Sequence, residues 1–255
     1  MTTSVTIGKI MDAFHDRYDS SYAIALSVGE LRTTLHLESV RRCVAVGCGT
    51  CVTEMPFLQH GMPNLSEFTA IEPDAWSAAE LKLKLAKYLP AVRSIVVQET
   101  VQHWRGDDKP VDAVLLLRCL YYLNPQERLE LYKRLFDTVV RPGGFVFVII
   151  HPFHTSGEPS AYCKIYQQLN SSEERYHVIT ESEVRTTVLS AGFELCHEKM
   201  YHCHVNVQDP DDTFLSVFLA HVDASLESAR RVSKEVFGDS KQVRHDHWLG
   251  VFRKP

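Results

Sequence analysis

The stretch RRCVAVGCG, residues 41–49, decides the fold class of this chain. A short valine-rich run that ends at glycine predicts a buried strand followed by a tight turn. The stretch SEFTAIEPD, residues 66–74, predicts a second strand ending at Glu72, and Asp74 predicts the cap of a helix over residues 75–89. An open α/β sheet binds an adenosine-containing cofactor with a strand, a glycine turn and a helix, followed by a second strand that ends at an acidic residue.

Strands and helices alternate through the middle of the chain. The predicted elements there are one or two helices within residues 7–37, helices over 52–61 and 125–140, strands over 93–99 and 145–153, a strand running into a loop over 111–123, and a turn at 141–144. Later elements are a polar excursion at 155–175, a helix over 180–191, a long strand over 193–207, a helical segment across roughly 211–237 and a last strand at 247–254. This alternation implies parallel crossover units, and hence an α/β fold with a twisted parallel sheet and helices on both faces.

The length of 255 residues fits a single domain with a sizeable core. We predict one domain over residues 1–255, in which 41–152 form a cofactor-binding core, 1–40 an N-terminal helical lid and 153–255 the substrate-side additions and last strands. Because the lid and residues 209–243 lie outside the core series of strands and helices, we expect them to wall the substrate.

Composition argues against several classes of function. A net charge of -5, with Lys and Arg spread along the chain, argues against a nucleic-acid partner. No stretch approaches the roughly 18 unbroken apolar residues of a membrane helix, and the N-terminus lacks the pattern of a signal peptide, so we expect a cytoplasmic protein without a membrane partner. Seven scattered cysteines predict free thiols. The expected partner is a small molecule, and the chain is expected to be a monomer or a weak dimer.

Two groups of potential metal ligands stand out. Cys48 and Cys51 have C-x-x-C spacing, and residues 202–204 read His-Cys-His. The cysteine pair lies inside the glycine turn, and no second pair follows at zinc-ribbon distance, so we predict no metal site. His151 and His154 follow the fifth strand and are possible pocket residues.

The glycine turn itself narrows the choice of cofactor. Gly47 and Gly49 allow the tight turn and a close approach of the ligand to the backbone, and Glu72 can accept hydrogen bonds from two ribose hydroxyls. The third glycine of the dinucleotide fingerprint is replaced by Val52, which disfavours close packing around a pyrophosphate. A nucleoside cofactor without phosphate fits better. The alternative is a plain turn beside a surface carboxylate.

Several motifs together resemble one family. They are VAVGCGT (44–50), AIEP (70–73), QET (98–100), LRCLYYL (117–123), RPGGFVFVII (141–150) and VITESEVRTTVLSAGF (178–193). In these the chain resembles the class I S-adenosylmethionine-dependent methyltransferases, and among them most the histamine N-methyltransferases. The resemblance implies a Rossmann-like fold, with a mostly parallel seven-stranded sheet and helical substrate-binding additions, and S-adenosyl-L-methionine as the cofactor.

The resemblance also implies cofactor-binding residues. They are Gly47 under the methionine part, with Gly49 in the same turn, Glu72 on the ribose, Val101 on the adenine side and Leu117 along the cofactor. Cys51 replaces a glycine that is common in the superfamily's turn, a departure that bears on the geometry of the loop.

Arg118 and His247 fall at two positions that this family uses for the substrate, where the family has neutral amides. A guanidinium at Arg118 would repel an ammonium group but grip a carboxylate with two hydrogen bonds, unless it turns away to pair with a surface acid. A neutral imidazole at His247 could accept a proton from the attacking nitrogen or hold the substrate, and the alternative is a partly exposed polar residue. We predict both as substrate-binding, and His247 also as catalytic.

Tyr121 and Tyr122 follow the fourth strand at the edge where open sheets bind ligands. A ring face there could stabilise the sulfonium cation or stack on an imidazole, so Tyr121 is predicted as catalytic and Tyr122 as substrate-binding. Because adjacent residues leave a strand on opposite sides, one ring is expected in the pocket and the other packed in the core.

The function that these residues predict is methyl transfer to a nitrogen of a small amine or imidazole compound, histamine-like or amino-acid-like. Two alternatives stay open. One is methylation of oxygen or sulfur on the same fold, and the other is a module that binds the cofactor without catalysis.

Overall fold

The computed structural model describes residues 7–17, 20–106, 108–152, 154–155, 158–169, 179–219 and 224–255. Its strands are β1 (Arg42–Val46), β2 (Glu67–Ile71), β3 (Arg93–Val97), β4 (Val111–Leu117), β5 (Val140–Ile150), β6 (His154–Thr155), β7 (Glu158–Pro159), β8 (Glu194–Tyr201), β9 (His204–Asn206), β10 (Gln242–Arg244) and β11 (His247–Arg253). Its α-helices are α1 (Ile7–His15), α2 (Ser20–Leu35), α3 (Ala75–Tyr88), α4 (Pro125–Arg134), α5 (Ala161–Leu169), α6 (Glu181–Ser190), α7 (Asp212–Leu219) and α8 (Leu226–Phe237).

Seven of the strands form one sheet, in the order β3-β2-β1-β4-β5-β11-β8. Strands β1 to β5 pair in parallel, and β11 runs antiparallel to both of its neighbours. The predicted mostly parallel seven-stranded sheet is therefore confirmed. The strand order reverses between β1 and β4, and in open α/β sheets such a reversal opens a crevice at the carboxyl ends of the strands, where ligands bind.

The sheet is covered on both faces, as the sequence predicts. Cys43 and Ala45 of β1 pack into one core with α2 and α3, whereas Val44 and Val46 pack into the other with α4 and α6. Alternate residues of one strand point to opposite faces, so a strand that is apolar at every position is buried on both.

The predicted helix starts agree with the caps in the structure. The side chain of Asp74 accepts a hydrogen bond from the backbone N–H of Ser77 at 2.8 Å. Asn124 and Glu127 form a reciprocal capping box at the start of α4. The cap on α3 keeps this helix close behind the end of β2, which carries Glu72.

The structure differs from the predicted elements at four places. Strand β5 begins at Val140, before the predicted turn at 141–144. The residues of that turn lie within β5 at an irregularity of its pairing with β4, since Val111 pairs with Val140 but Ala113 pairs with Phe145. The predicted strand over 193–207 is two strands, since β8 pairs with β11 in the main sheet and β9 pairs with β10 in a separate ribbon.

The other two differences concern short segments. The helix predicted over 52–61 is helical only over 55–61, where two α-helical residues lead into the π-helical turn Phe57–Gly61, and residues 52–54 form turns. The excursion predicted at 155–175 contains α5, whose Tyr162, Ile165 and Leu169 are buried in the core, while 156–157 and 170–175 lie outside the described residues. Within the described part of the chain, no helix is both long and apolar enough to cross a membrane.

Candidate functional site

A cavity of about 350 Å³ lies at the carboxyl ends of β1, β2 and β4. Its walls come from the glycine turn after β1, the end of β2, the loop after β3, the end of β4 and one side of α1. The cavity therefore occupies the crevice where the strand order reverses.

The glycine turn holds a backbone conformation that favours glycine. Gly47 and Gly49 have φ angles of +58° and +53°, and a Cβ on Gly47 would lie 2.8 Å from the Cβ of Cys119. The backbone N–H of Gly47 donates to the carbonyl of Ile71 at 2.7 Å, which ties the turn to β2. Cys51 has a φ of 67°, so a non-glycine residue occupies a left-handed position here, at a cost of about 1–2 kcal/mol.

Glu72 is locked in place at the edge of the cavity. One carboxylate oxygen accepts the backbone N–H of Gly49 at 2.7 Å, and the other accepts that of Asp74 at 2.9 Å. Burial raises the pKa of Glu72, and these two hydrogen bonds act in the opposite direction. A carboxylate has about four acceptor positions, so each oxygen retains one for a ligand hydroxyl.

Four more of the predicted site residues lie in the wall of the same cavity, namely Val101, Leu117, Arg118 and Tyr122. The two tyrosines separate as expected. Tyr122 belongs to the wall and is 44% exposed, whereas Tyr121 is 4% exposed and its hydroxyl accepts the backbone N–H of His151. The catalytic role of Tyr121 stays a prediction, and its ring is packed in the core behind the wall.

Arg118 faces the cavity at the point where β4 ends. Its backbone has a φ of 63°, and its N–H donates to the carbonyl of Ile149 at 2.8 Å. The guanidinium donates to the hydroxyl of Thr53. Burial lowers the pKa of Arg118, and the nearby Glu54 carboxyl opposes that effect. Arg118 therefore supplies a positive charge held at one end of the cavity.

His247 lies deeper, in a cluster of buried imidazoles. The rings of His151 and His245 stack with centroids 3.6 Å apart, and the ring of His247 is 5.1 Å from that of His245. Burial lowers the pKa of His151 to about 4 and that of His247 to about 3, so both are neutral at pH 7. His15 of α1 lies in the cavity wall, whereas His247 is not among the residues that line the cavity, so its substrate-binding and catalytic roles stay predictions.

Glu54 is a cavity residue that the sequence reasoning missed. Its side chain is 1% exposed and belongs to the wall, and burial raises its pKa to about 8. An acid just after a turn is usually solvated, and no motif singles it out. The only indication in the sequence is that Glu54 lies in the segment that follows the glycine turn.

Helix α1 covers the cavity and is tied to the glycine turn. The hydroxyl of Thr50 donates to Asp12 at 2.5 Å and accepts from the ammonium of Lys84 at 2.9 Å. Helix α7, from the second segment predicted as a substrate wall, packs against α1. The lid role of both segments stays a prediction.

The cysteines of the turn show no arrangement for a metal. The side chains of Cys48 and Cys51 are hydrogen-bonded to each other, and burial raises the pKa of the Cys51 thiol. Among the residues that the structure describes, no three His, Cys, Asp or Glu side chains are grouped so that they could hold a metal ion.

No family model and no curated protein matches the chain. Solved structures do match it in shape. A putative methyltransferase from Bacillus halodurans is 13% identical, with 89% of this chain and 98% of that one covered and a TM-score of 0.64. The N-methyltransferase NodS from Bradyrhizobium japonicum, in complex with S-adenosyl-L-homocysteine, is 13% identical over 92% of this chain and 87% of that one, with a TM-score of 0.55.

A third structure is magnesium protoporphyrin IX methyltransferase from Synechocystis with bound S-adenosylmethionine. It is 13% identical, with 100% of this chain and 87% of that one covered and a TM-score of 0.53. At this level of identity the likeness concerns the fold, and proteins of one fold differ in substrate. The chain has the Rossmann-like fold of the class I methyltransferases.

Proposed function

We propose that the protein is an S-adenosylmethionine-dependent methyltransferase that transfers a methyl group to a nitrogen of a small amine or imidazole compound. The observation that carries the proposal is the locked Glu72 carboxylate, which lies beside the glycine turn and faces a cavity of about 350 Å³. Structural neighbours that hold S-adenosylmethionine or its demethylated product support the same cofactor.

The residues present fit this cofactor. Glu72 retains acceptor positions for two ribose hydroxyls, and the open space where a Cβ of Gly49 would lie leaves room for the methionine part. Val101 and Leu117 add apolar wall where the resemblance expects the adenine and the body of the cofactor. A bound sulfonium supplies an electrophilic methyl carbon and leaves as a neutral thioether.

The remaining work of the chain is orientation and exclusion of water. Helix α1 covers the cavity through the hydrogen bond between Thr50 and Asp12. Holding two reactants in line can supply about 7–11 kcal/mol of the barrier, so little acid–base chemistry is needed. The neutral imidazoles beside the cavity do not repel an amine acceptor as protonated ones would.

Two features bear on the chemical nature of the acceptor. The resemblance to histamine N-methyltransferases supports an amine or imidazole, and the cation at Arg118 supports an acceptor that also carries a carboxylate. Methylation of oxygen or sulfur, and cofactor binding without catalysis, are the alternatives.

Labelled S-adenosylmethionine, offered with histamine, histidine derivatives, phenols and thiols, tests the proposal. We expect label in nitrogen-bearing acceptors. Glu72→Ala should weaken calorimetric binding of S-adenosylhomocysteine by about tenfold or more, since two ribose hydrogen bonds are lost. Cofactor binding without transfer to any acceptor would favour a binding module, and no cofactor binding by the unaltered protein would refute the proposal.

A further inference from the structure

We propose that Glu54 and Arg118 together select the acceptor, with Glu54 accepting a hydrogen bond from its amino group and Arg118 binding its carboxylate. The acceptor class is then an amino acid or a close analogue that carries both groups. This inference rests on the proposed function and names the substrate class of the same site.

Both residues belong to the wall of the cavity, and a hydrogen bond connects Arg118 to the residue that precedes Glu54 in the sequence. The guanidinium of Arg118 donates to the hydroxyl of Thr53, the residue immediately before Glu54. Each of the two groups influences the pKa of the other. The cavity wall therefore includes a hydrogen-bond donor cation and a carboxyl group whose charges affect each other.

Glu54 has unused capacity for a hydrogen bond. The Cys51 thiol hydrogen-bonds to the carboxyl, but Oε2 is closed off from solvent and has no hydrogen-bond partner among the described residues. A buried polar group without a partner is costly, and a ligand N–H that reaches it recovers that cost on binding. Because the residue Glu54 lines the cavity, its unpartnered oxygen points to a ligand with a hydrogen-bond donor.

The charges of the pair set the class of ligand. Arg118 alone would repel an ammonium group, and a carboxylate at Glu54 offsets that repulsion. The pKa of Glu54, about 8, leaves the carboxyl able to ionise when a cation approaches. A ligand with only one of the two groups would forgo the hydrogen bonds of the other, and a polar site discriminates against an analogue in this way.

Three matched compounds test the pair: histidine, histamine, which lacks the carboxylate, and imidazolepropionate, which lacks the amino group. Their affinities are measured by calorimetry on the protein saturated with S-adenosylhomocysteine, so that the ranking does not depend on turnover. Unaltered protein should bind histidine at least about tenfold more tightly than either analogue.

Variants assign the preference to each residue. Arg118→Gln should remove the preference for histidine over histamine, and Glu54→Gln should remove its preference over imidazolepropionate. Glu54→Asp, which retains a carboxyl group, should restore part of the latter. Glu235→Gln, on the exposed face of α8 and paired with Arg231, is the matched control and should leave all three affinities within about twofold.

The outcomes separate the two proposals. Failure of the unaltered protein to bind S-adenosylhomocysteine would overturn the proposed function. Normal binding of that compound, with equal affinity for the three acceptors or with none, would overturn the acceptor pair alone. If either variant instead weakens S-adenosylhomocysteine by tenfold and leaves the acceptor ranking intact, the pair serves the amino-acid end of the cofactor and the inference is wrong.

Discussion

Replacing Glu54 by glutamine should change how the stability of the protein depends on pH. Burial raises the pKa of Glu54 from its ordinary value of 4.5 to about 8, so the carboxyl keeps its proton in the folded protein up to about pH 8. In the unfolded chain it ionises near pH 4.5. The stability that this group contributes is therefore fully present below pH 4.5 and is lost as the pH rises to about 8.

The expected magnitude follows from these two values. At about 1.4 kcal/mol per pH unit, the loss between pH 5 and pH 8.5 amounts to about 4 kcal/mol. Glutamine has nearly the same shape and no charge, so Glu54→Gln should not show this loss. The free energy of unfolding of the unaltered protein should then fall by about 4 kcal/mol relative to the variant across this range.

Urea unfolding of the cofactor-free protein at a series of pH values measures this difference. Comparing the two proteins at each pH removes the contribution of every other titrating group, and a constant offset from the new amide does not affect the slope. Glu235→Gln, in an exposed ion pair, should give a nearly flat difference. A difference for Glu54→Gln that varies by less than about 1 kcal/mol from pH 5 to pH 8.5 would refute the picture of a buried, protonated carboxyl.

Three further predictions concern the turn, the histidine cluster and the lid. Gly47→Ala should destabilise the protein by about 3 kcal/mol or more in urea unfolding, because the new Cβ would meet Cys119 at a left-handed φ. Gly49→Ala, whose Cβ would meet open space, should cost about 1 kcal/mol, and equal costs for the two variants would contradict the close contact between Gly47 and Cys119. His247, with a pKa of about 3, contributes stability that is present above pH 6.5 and is lost as the pH falls. The free energy of unfolding of the unaltered protein should therefore fall by about 2.5 kcal/mol relative to that of His247→Asn between pH 7 and pH 4.5. A difference that does not change with pH would show that the ring is protonated or solvated in the folded protein. Asp12→Ala should lower kcat/KM for methyl transfer by about tenfold through loosening of α1, with the melting temperature nearly unchanged, and full activity would remove the lid role.

The meeting of the glycine turn with Glu72 could be predicted from the sequence because its parts are local. The turn at Gly47 follows β1 directly, and Glu72 ends the next strand, so strand pattern and turn chemistry place them at one edge of the sheet. The same reasoning applies to Asp74, whose capping role depends only on the residues that follow it. Where neighbours in sequence determine the geometry, pattern is sufficient.

Strand ends were harder to place, for a reason visible at 193–207. The sequence there reads as one strand, yet pairing with β11 stops at Tyr201 and the chain then moves to a ribbon with β10. The position of the break depends on where pairing with β11 stops, and β11 lies more than forty residues later in the chain. No local pattern in 193–207 carries that information.

The rest of the cavity wall depends on residues that the sequence keeps far apart. His15 comes from α1, Glu54 from the segment after the glycine turn and Arg118 from the end of β4, whereas His247, at the start of β11, is not among the residues that line the cavity. Counting formal charges would make Glu54 an anion, but burial raises its pKa to about 8 and lowers that of His247 to about 3, so both are mostly neutral at pH 7. The charge of this pocket is thus a property of packing, and a change that admits water should alter acceptor preference even when it touches none of the polar groups. Loosening α1 by Asp12→Ala tests this expectation. The variant should show a smaller preference for histidine over histamine as well as slower turnover. If the selectivity came from Arg118 alone, the relative affinities for histidine and histamine would stay unchanged.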